Sequence, residues 1–524
     1  MDLKRAFCYN SSGEFLNFFA VKLRGNVLRS NPHLIEINTR LWLKQLRAKY
    51  SLPEMTLSSV PDDEWLELRH LGFDIIWLLG VWEPSPESER IAREDKALLE
   101  ELKSLPPGFG PEAVGSSPYS IHWYRLNAVL GFEWELKALK EKLNGMGMKL
   151  MVDLVSNHTS RDNPYIAENP DCFINGSEED FKAHPDWFFE TEAGGKKRYI
   201  AYGRDPNFPA WTDSAQLNYF NPATRERMLS VLLRIADMAD GVRCDMVMLT
   251  LNEIHEGTWG WLLNRNGYKR PAEEFWESAI RTVKEKHPQF TFLAEVYWGL
   301  EWRVQQIGFD YTYDKGTYDR LRFQGAQEVR GHLRAEKLYQ KRSARFIDNH
   351  DEQPSLAAFG RQKALAAGVV VSTIKGLRFY NDNQLDGVKL RVPLQLTELY
   401  DRAPDLEVKK FYAKLLKITD HPAFHGGEWA LLDVRQCSKE NRSNANILAW
   451  SWAQRRTLKV VVVNYSGEPS CGVVNVSIKC EGETTAIFEE LSDRFFSFKA
   501  EDLAGGLRLQ EMAPYSAHIF DVQF

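Results

Sequence analysis

Four acidic residues, Asp153, Asp245, Glu295 and Asp351, each stand near the C-terminal end of a different short apolar run. If those runs are neighbouring strands, the acids meet at one rim, where one carboxylate can serve as nucleophile or base and another as proton donor. Taken singly, each reads as well as an acid opening a loop or capping a helix; the four together favour a shared site. Glu295 lies between Ala294 and Val296 and beside Tyr297 and Trp298, an apolar setting that disfavours its charged form and keeps a proton available. In "GVRCDMVM", Arg243 precedes Asp245 by two positions. In an extended strand both side chains point the same way, so the guanidinium can pair with and orient a carboxylate that burial alone would penalise. A structural ion pair would explain that stretch but not its three companions. Cys244 points to the opposite face, as core filler. The adjacent His350 and Asp351 could also form part of a metal site or a helix cap, although no further His or Cys cluster accompanies them.

The elements that would position these residues recur along the chain as eight β-rich runs: "HLIEINTRLWL", "LGFDIIWLLG", "MKLMVDLV", "DGVRCDMV", "FTFLAEVYW", "IGFDYTYDK", "ARFIDNHD" and "GVVVSTIKGLRFY". Apolar runs that do not alternate suit strands covered on both faces, and strand–helix repetition over this length predicts a (β/α)8 TIM barrel. The segment "FEWELKALKEKLNGMGM" carries the apolar and charged faces of a covering helix and ends at glycines. Beyond residue 425 the pattern changes to short alternating strands such as "TLKVVVVNYSG", which predict a C-terminal all-β sandwich over 425–524. The catalytic barrel is expected over 34–158 and 221–420, with an N-terminal segment over 1–33 and a small insertion domain over 159–220 after strand 3. A second excursion, 83–118, is expected to wall one side of the cleft, since long irregular connections usually shape a site.

The stretches "DLVSNH", "GVRCDMVM", "FLAEVYW" and "FIDNHD", in that order, resemble the four signature regions of the α-amylase superfamily, glycoside hydrolase family 13. The likeness extends through "WTDSAQLNYFNPATRERM". The resemblance implies a retaining α-glycosidase acting on α-glucosidic links, with Asp245 as nucleophile and Glu295 as acid and then base, roughly 5 to 5.5 Å apart. It makes Asp351 a stabiliser of the developing positive charge and gives His158 and His350 hydrogen bonds to the sugar of the first subsite. Arg243 joins the substrate-binding set, Tyr119 stacks on the sugar ring, and Asp153 and Asn157 brace the site. No cofactor is implied for the chemistry, while a structural calcium near Asn157 is common in the family. The motifs leave open a transglycosylase or phosphorylase of the same superfamily, and less favourably a non-catalytic carbohydrate-binding member. Met248 and Leu249 replace a frequent Lys-His pair, and "RFYNDNQLDGVKLRVPLQL" departs from a common Tyr-Gly-x-Glu pattern. Both departures are expected to bear on specificity rather than on bond cleavage.

Composition narrows the partners. With 44% hydrophobic and 26% charged residues over 524, the chain is that of a globular protein. A formal net charge of −6 lacks the basic footprint of nucleic-acid or acidic-lipid binding; the α-glucan or oligosaccharide partner is what the family resemblance implies. The six cysteines, at 8, 172, 244, 437, 471 and 480, show no metal-ligand spacing and read as reduced thiols. The N-terminus has no apolar core followed by a small-residue cleavage site, and no run approaches a membrane span, so a cytoplasmic location is expected.

Overall fold

The computed structural model describes residues 27–478 and 482–523. The sequence reading of the N-terminus, and Cys8 and Cys480, lie outside the described residues. Eight parallel strands close into a barrel: His33–Asn38, Ile75–Leu79, Lys149–Val155, Gly241–Asp245, Thr291–Ala294, Tyr311–Tyr313, Ser343–Arg345 and Leu377–Asn381, here called barrel strands 1 to 8. Each pairs with the next in sequence, and strand 1 closes on strand 8 through His33↔Arg378 to Glu36↔Asn381.

The strands are buried on both faces because they separate two cores. Leu34, Ile75, Trp77, Met151, Leu293 and Phe379 fill the barrel interior. Their sequence neighbours Ile35, Ile76, Val152, Phe292 and Tyr380 face outward to the helices. This two-residue alternation dictates which side chains reach the rim. Counting on from Leu34, Met151 and Leu293, the next inward positions are Glu36, Asp153 and Glu295. On strand 4, with Cys244 in the outer core, they are Arg243 and Asp245.

Several runs divide differently from the expectation. In "HLIEINTRLWL" the strand stops at Asn38, whose side chain accepts the Leu41 N–H and so caps a helix over Thr39–Tyr50. In "GVVVSTIKGLRFY" the valines belong to the helix Arg361–Thr373, and only Leu377–Asn381 is strand. A short apolar run buried on all sides does not reveal whether it is helix or strand. Strand 7 likewise covers only Ser343–Arg345, so "FIDNHD" is a loop leaving the rim.

The insertion after strand 3 is tied down by the antiparallel pair His158–Ser160 and Ser214–Gln216 and carries a three-stranded sheet, Asn175–Gly176, Phe188–Ala193 and Lys196–Ala201. The excursion 83–118 forms helices Pro86–Glu94 and Lys96–Ser104, packed through Leu102, Leu105 and Val114 against Leu41 and Tyr400. Ser85 and Ser88 of this excursion donate to Asp162 and Asp213 of the insertion at 2.7 and 2.6 Å.

The C-terminal domain packs a six-stranded sheet against a three-stranded one. The strand Ile447–Gln454 shows why it docks on the barrel: Leu448, Trp450 and Trp452 belong to the main core, while Ile447 and Ala449 face the sandwich interior. The Trp452 indole donates to the Thr373 carbonyl at 2.6 Å. Among the described residues no helix is long and apolar enough to cross a membrane, and Cys172, Cys244, Cys437 and Cys471 are free thiols.

Candidate active site

Arg243 is the hub of the rim. It is fully buried, and its two terminal nitrogens reach different carboxylates: Nη1 lies 2.6 Å from Asp245 Oδ1 and Nη2 2.7 Å from Glu295 Oε2. Strand pairing sets this up, since Arg243 is level with Asp153 on strand 3 and Leu293 on strand 5. The guanidinium is caged by the rings of Tyr119, Trp77 and Tyr313 at 5.0, 5.5 and 5.7 Å, which shield the charge from water and fix its plane. The sequence reading paired Arg243 with Asp245 alone; in the fold it also holds Glu295.

Glu295 is 3% exposed. Its Oε2 accepts the Met246 N–H at 2.9 Å, and the Tyr297 hydroxyl donates to Oε1 at 2.8 Å. Burial is the largest influence on it and raises its pKa; Arg243 opposes, Asp245 and Asp351 add, and the carboxyl is pushed up to about 7. Such a group is about half protonated at neutrality and can both give up and take back a proton there. Met246 supplies its N–H from a left-handed conformation, φ 43°, which is uncommon outside glycine.

Asp351 lies on the loop after strand 7, with its N–H bonded to Asn349 Oδ1 at 3.0 Å. Protein crowding works against its ionisation, but His350 Nε2 at 3.1 Å outweighs this and the carboxyl is held at about 2. His350 stacks on Tyr119 with ring centroids 5.3 Å apart, and its Nε2 is 3.0 Å from the Tyr119 hydroxyl. Tyr119 therefore packs against both Arg243 and the imidazole. Burial opposes a charge on His350, yet Asp351 and Glu36 overcome it and raise its pKa well above the usual histidine value.

Asp153 sits at the floor, accepting from the Trp77 indole at 3.1 Å and the Gly80 N–H at 2.8 Å. Burial raises it to about 6 against the pull of Arg243. His158 is buried under Trp211, ring centroids 5.0 Å apart. Burial lowers its pKa although Asp245 and Asp213 oppose. Asn157 is 1% exposed, which takes its Asn-His-Thr sequon out of reach of glycosylation. Its Oδ1 accepts from Gln216 Nε2 at 2.9 Å, and its Nδ2 donates to Gln216 Oε1 at 3.3 Å. Gln216 thus pairs with both the oxygen and the nitrogen of the Asn157 amide. Among the described residues no group of three or more His, Cys, Asp or Glu side chains could hold a metal.

Glu36 is a site residue that the motifs did not single out. It projects inward at the end of strand 1, 1% exposed, with Oε1 against His350 Nδ1 and Oε2 accepting from Asn381 Nδ2 at 2.8 Å. Its signal in the sequence is one acid inside the apolar run "HLIEIN". Glu36→Gln is expected to cost about 2 kcal/mol of transition-state stabilisation, the size of one charge-assisted hydrogen bond. That corresponds to roughly a 30-fold loss in kcat/KM. NMR titration of His350 should show its pKa moved down; an unmoved titration would deny Glu36 this positioning role. Met248 and Leu249, by contrast, are buried, at 0% and 4% exposure, in a 3-10 turn over Val247–Thr250. Met248 belongs to the main hydrophobic core.

A closed parallel barrel whose strand ends gather acids around one arginine, with an excursion after strand 3 and an antiparallel C-terminal domain, defines a (β/α)8 protein with its site on the C-terminal rim. The profile of the family described as "Alpha amylase, catalytic domain" matches residues 66–380, and the chain belongs to the α-amylase family. Alpha-amylase MalA of Haloarcula japonica is 24% identical over 359 residues, 66% of this chain and 47% of that protein. Alpha-1,4-glucan:maltose-1-phosphate maltosyltransferase of Rhodospirillum rubrum is 27% identical over 260 residues, 48% of this chain and 30% of that one. The chain spans about half or less of the length of these two relatives. Among solved structures, the maltogenic alpha-amylase AmyB of Thermotoga neapolitana shares the fold with a TM-score of 0.63 at 17% identity, covering 94% of this chain and 99% of that one. Trehalose-6-phosphate hydrolase of Bacillus licheniformis aligns with a TM-score of 0.63 at 14% identity over the same shares.

Proposed function

We propose that the chain is a retaining α-glycosidase that cleaves α-glucosidic links in maltooligosaccharides or related α-glucosides. The observation that carries this reading is the single guanidinium holding Asp245 and Glu295 on its two adjacent nitrogens. That spacing suits a nucleophile and an acid flanking one anomeric carbon. In this reading Asp245 attacks C1 while Glu295 passes its proton to the departing glycosidic oxygen, leaving a glycosyl ester on Asp245. Glu295 then takes a proton from water, whose oxygen displaces Asp245 and restores both groups. Asp351, held charged beside His350, stabilises the positive charge that develops at C1, and Tyr119, His158 and His350 position the sugar. The names of the relatives, an amylase and a maltosyltransferase acting on an α-1,4-glucan, support the substrate class. The same ester serves a transglycosylase when a sugar replaces water. The free thiols suit a reducing cytoplasm.

Incubation with maltotetraose, followed by NMR of the product anomers, tests the reading. Shorter products should appear first as α-anomers, and kcat/KM should fall as pH rises through about 7, where Glu295 loses its proton. First-formed β-anomers would contradict a retaining mechanism, and longer products would identify transfer.

A further inference from the structure

A cavity of about 670 Å³ lies between the helix Thr39–Tyr50, the end of barrel strand 2 and the segments around 115–116, 127–130 and 397–399. None of the rim carboxylates, and neither Arg243 nor His350, lines it. It is backed onto the rim through Gly80, which lines the cavity and donates its N–H to Asp153. Its size is that of a small-molecule site.

The charge of its wall is one-sided. Arg40, Lys44 and Arg47 line the cavity, and at spacings of four and three they share one helix face. The carboxylate among its lining residues is Glu89, which pairs with Arg93 at 2.6 Å and also acts on the charge of Arg40. Lys44 is matched by Glu398 at 2.6 Å, and Arg47 spends its donors on the carbonyls of Met55 and Val129. Arg40 is different. Its Nη2 donates to the Ser116 carbonyl at 3.2 Å, but its Nη1 is buried without a hydrogen-bond partner, and so is the Oγ of Ser116. Ser116 is 1% exposed and lines the same cavity. Leaving a buried donor unpaired costs about 1 to 3 kcal/mol, so the Arg40 fork bonded to the Ser116 carbonyl is a favourable place for an acceptor. A guanidinium fork next to a hydroxyl matches the oxygens of a phosphate or carboxylate, while Leu43, Pro84 and Leu130 offer apolar wall to an organic body.

We infer that this cavity binds a small organic anion, its phosphate or carboxylate head on Arg40 and Ser116 and its body along Leu43 and Leu130. The inference is independent of the rim chemistry and is tested by binding alone. Isothermal titration of the full chain should be run with inorganic phosphate, glucose 6-phosphate, glucuronate and glucose. The phosphate and carboxylate arms separate the two kinds of head group, and glucose reports binding without charge. Saturable one-to-one binding of at least one anion, at least tenfold tighter than glucose, is expected. Arg40→Gln should raise its Kd at least tenfold and Ser116→Ala severalfold, with the thermal melts of both variants confirming the fold. If Arg40→Gln does not fold, Ser116→Ala decides the question. No saturable binding of any anion, affinity for glucose equal to that for the anions, or a Kd unchanged in the folded variants would overturn the inference.

Discussion

Asp245→Asn is expected to lower kcat on maltotetraose by roughly ten-thousandfold or more, the scale seen when a covalent nucleophile is removed, while maltotetraose still binds. The amide keeps the shape of the carboxylate and can still accept from Arg243 Nη1, so the barrel rim should hold its form. What disappears is the oxygen that forms the ester with the sugar. Steady-state rates together with calorimetric binding make the check. A variant that turns over within tenfold of the parent would remove Asp245 from the chemistry, and a variant that no longer binds would make its role structural.

The second large effect concerns stability. Arg243→Met should destabilise the fold by about 3 to 5 kcal/mol near neutrality, because it leaves two buried carboxylates without their shared cation. The pH dependence follows from Glu295. Its folded pKa of about 7 lies above the ordinary 4.5, so the folded state holds this proton more tightly than the unfolded one. Its contribution to stability is therefore complete below about pH 4.5 and is lost as pH rises through 7. Arg243 opposes that upward shift, and without it the shift grows. The deficit of Arg243→Met should thus be greatest above pH 7 and shrink towards pH 5, where protonation removes the buried charge. Denaturant melts at pH 5 and pH 8 measure this, and equal deficits at the two values would show that the arginine does not act through Glu295.

The barrel was legible because each strand left an apolar run of the right length, and the acids were legible because they interrupt those runs near their ends. The boundaries were not, where helix and strand are buried alike: the valines before Ile374 lie in a helix, and nothing in their periodicity distinguishes that from a strand. Glu36 escaped notice because a single acid in a strand has no motif around it, and its meaning comes from His350, 314 positions away. Trp77 and Tyr313 belong to the barrel-interior core and also cage Arg243, a role that no motif around them signals. Met248 and Leu249 stand where family members often carry polar side chains, and a linear pattern cannot show that the turn after strand 4 buries Met248 in the main core. The amide pair of Asn157 and Gln216 joins residues 59 apart, so it became visible only in the fold.

The central claim is that Asp245 forms a covalent bond to the sugar while Glu295 handles the proton. Incubation with a fluorinated α-glucosyl fluoride, which enters the first step readily and leaves the second slowly, followed by mass spectrometry of the peptides, tests it most directly. A hexosyl adduct on the peptide carrying Asp245 is the predicted result. An adduct on any other residue, or rapid turnover through inverted products with no adduct at all, would contradict the account.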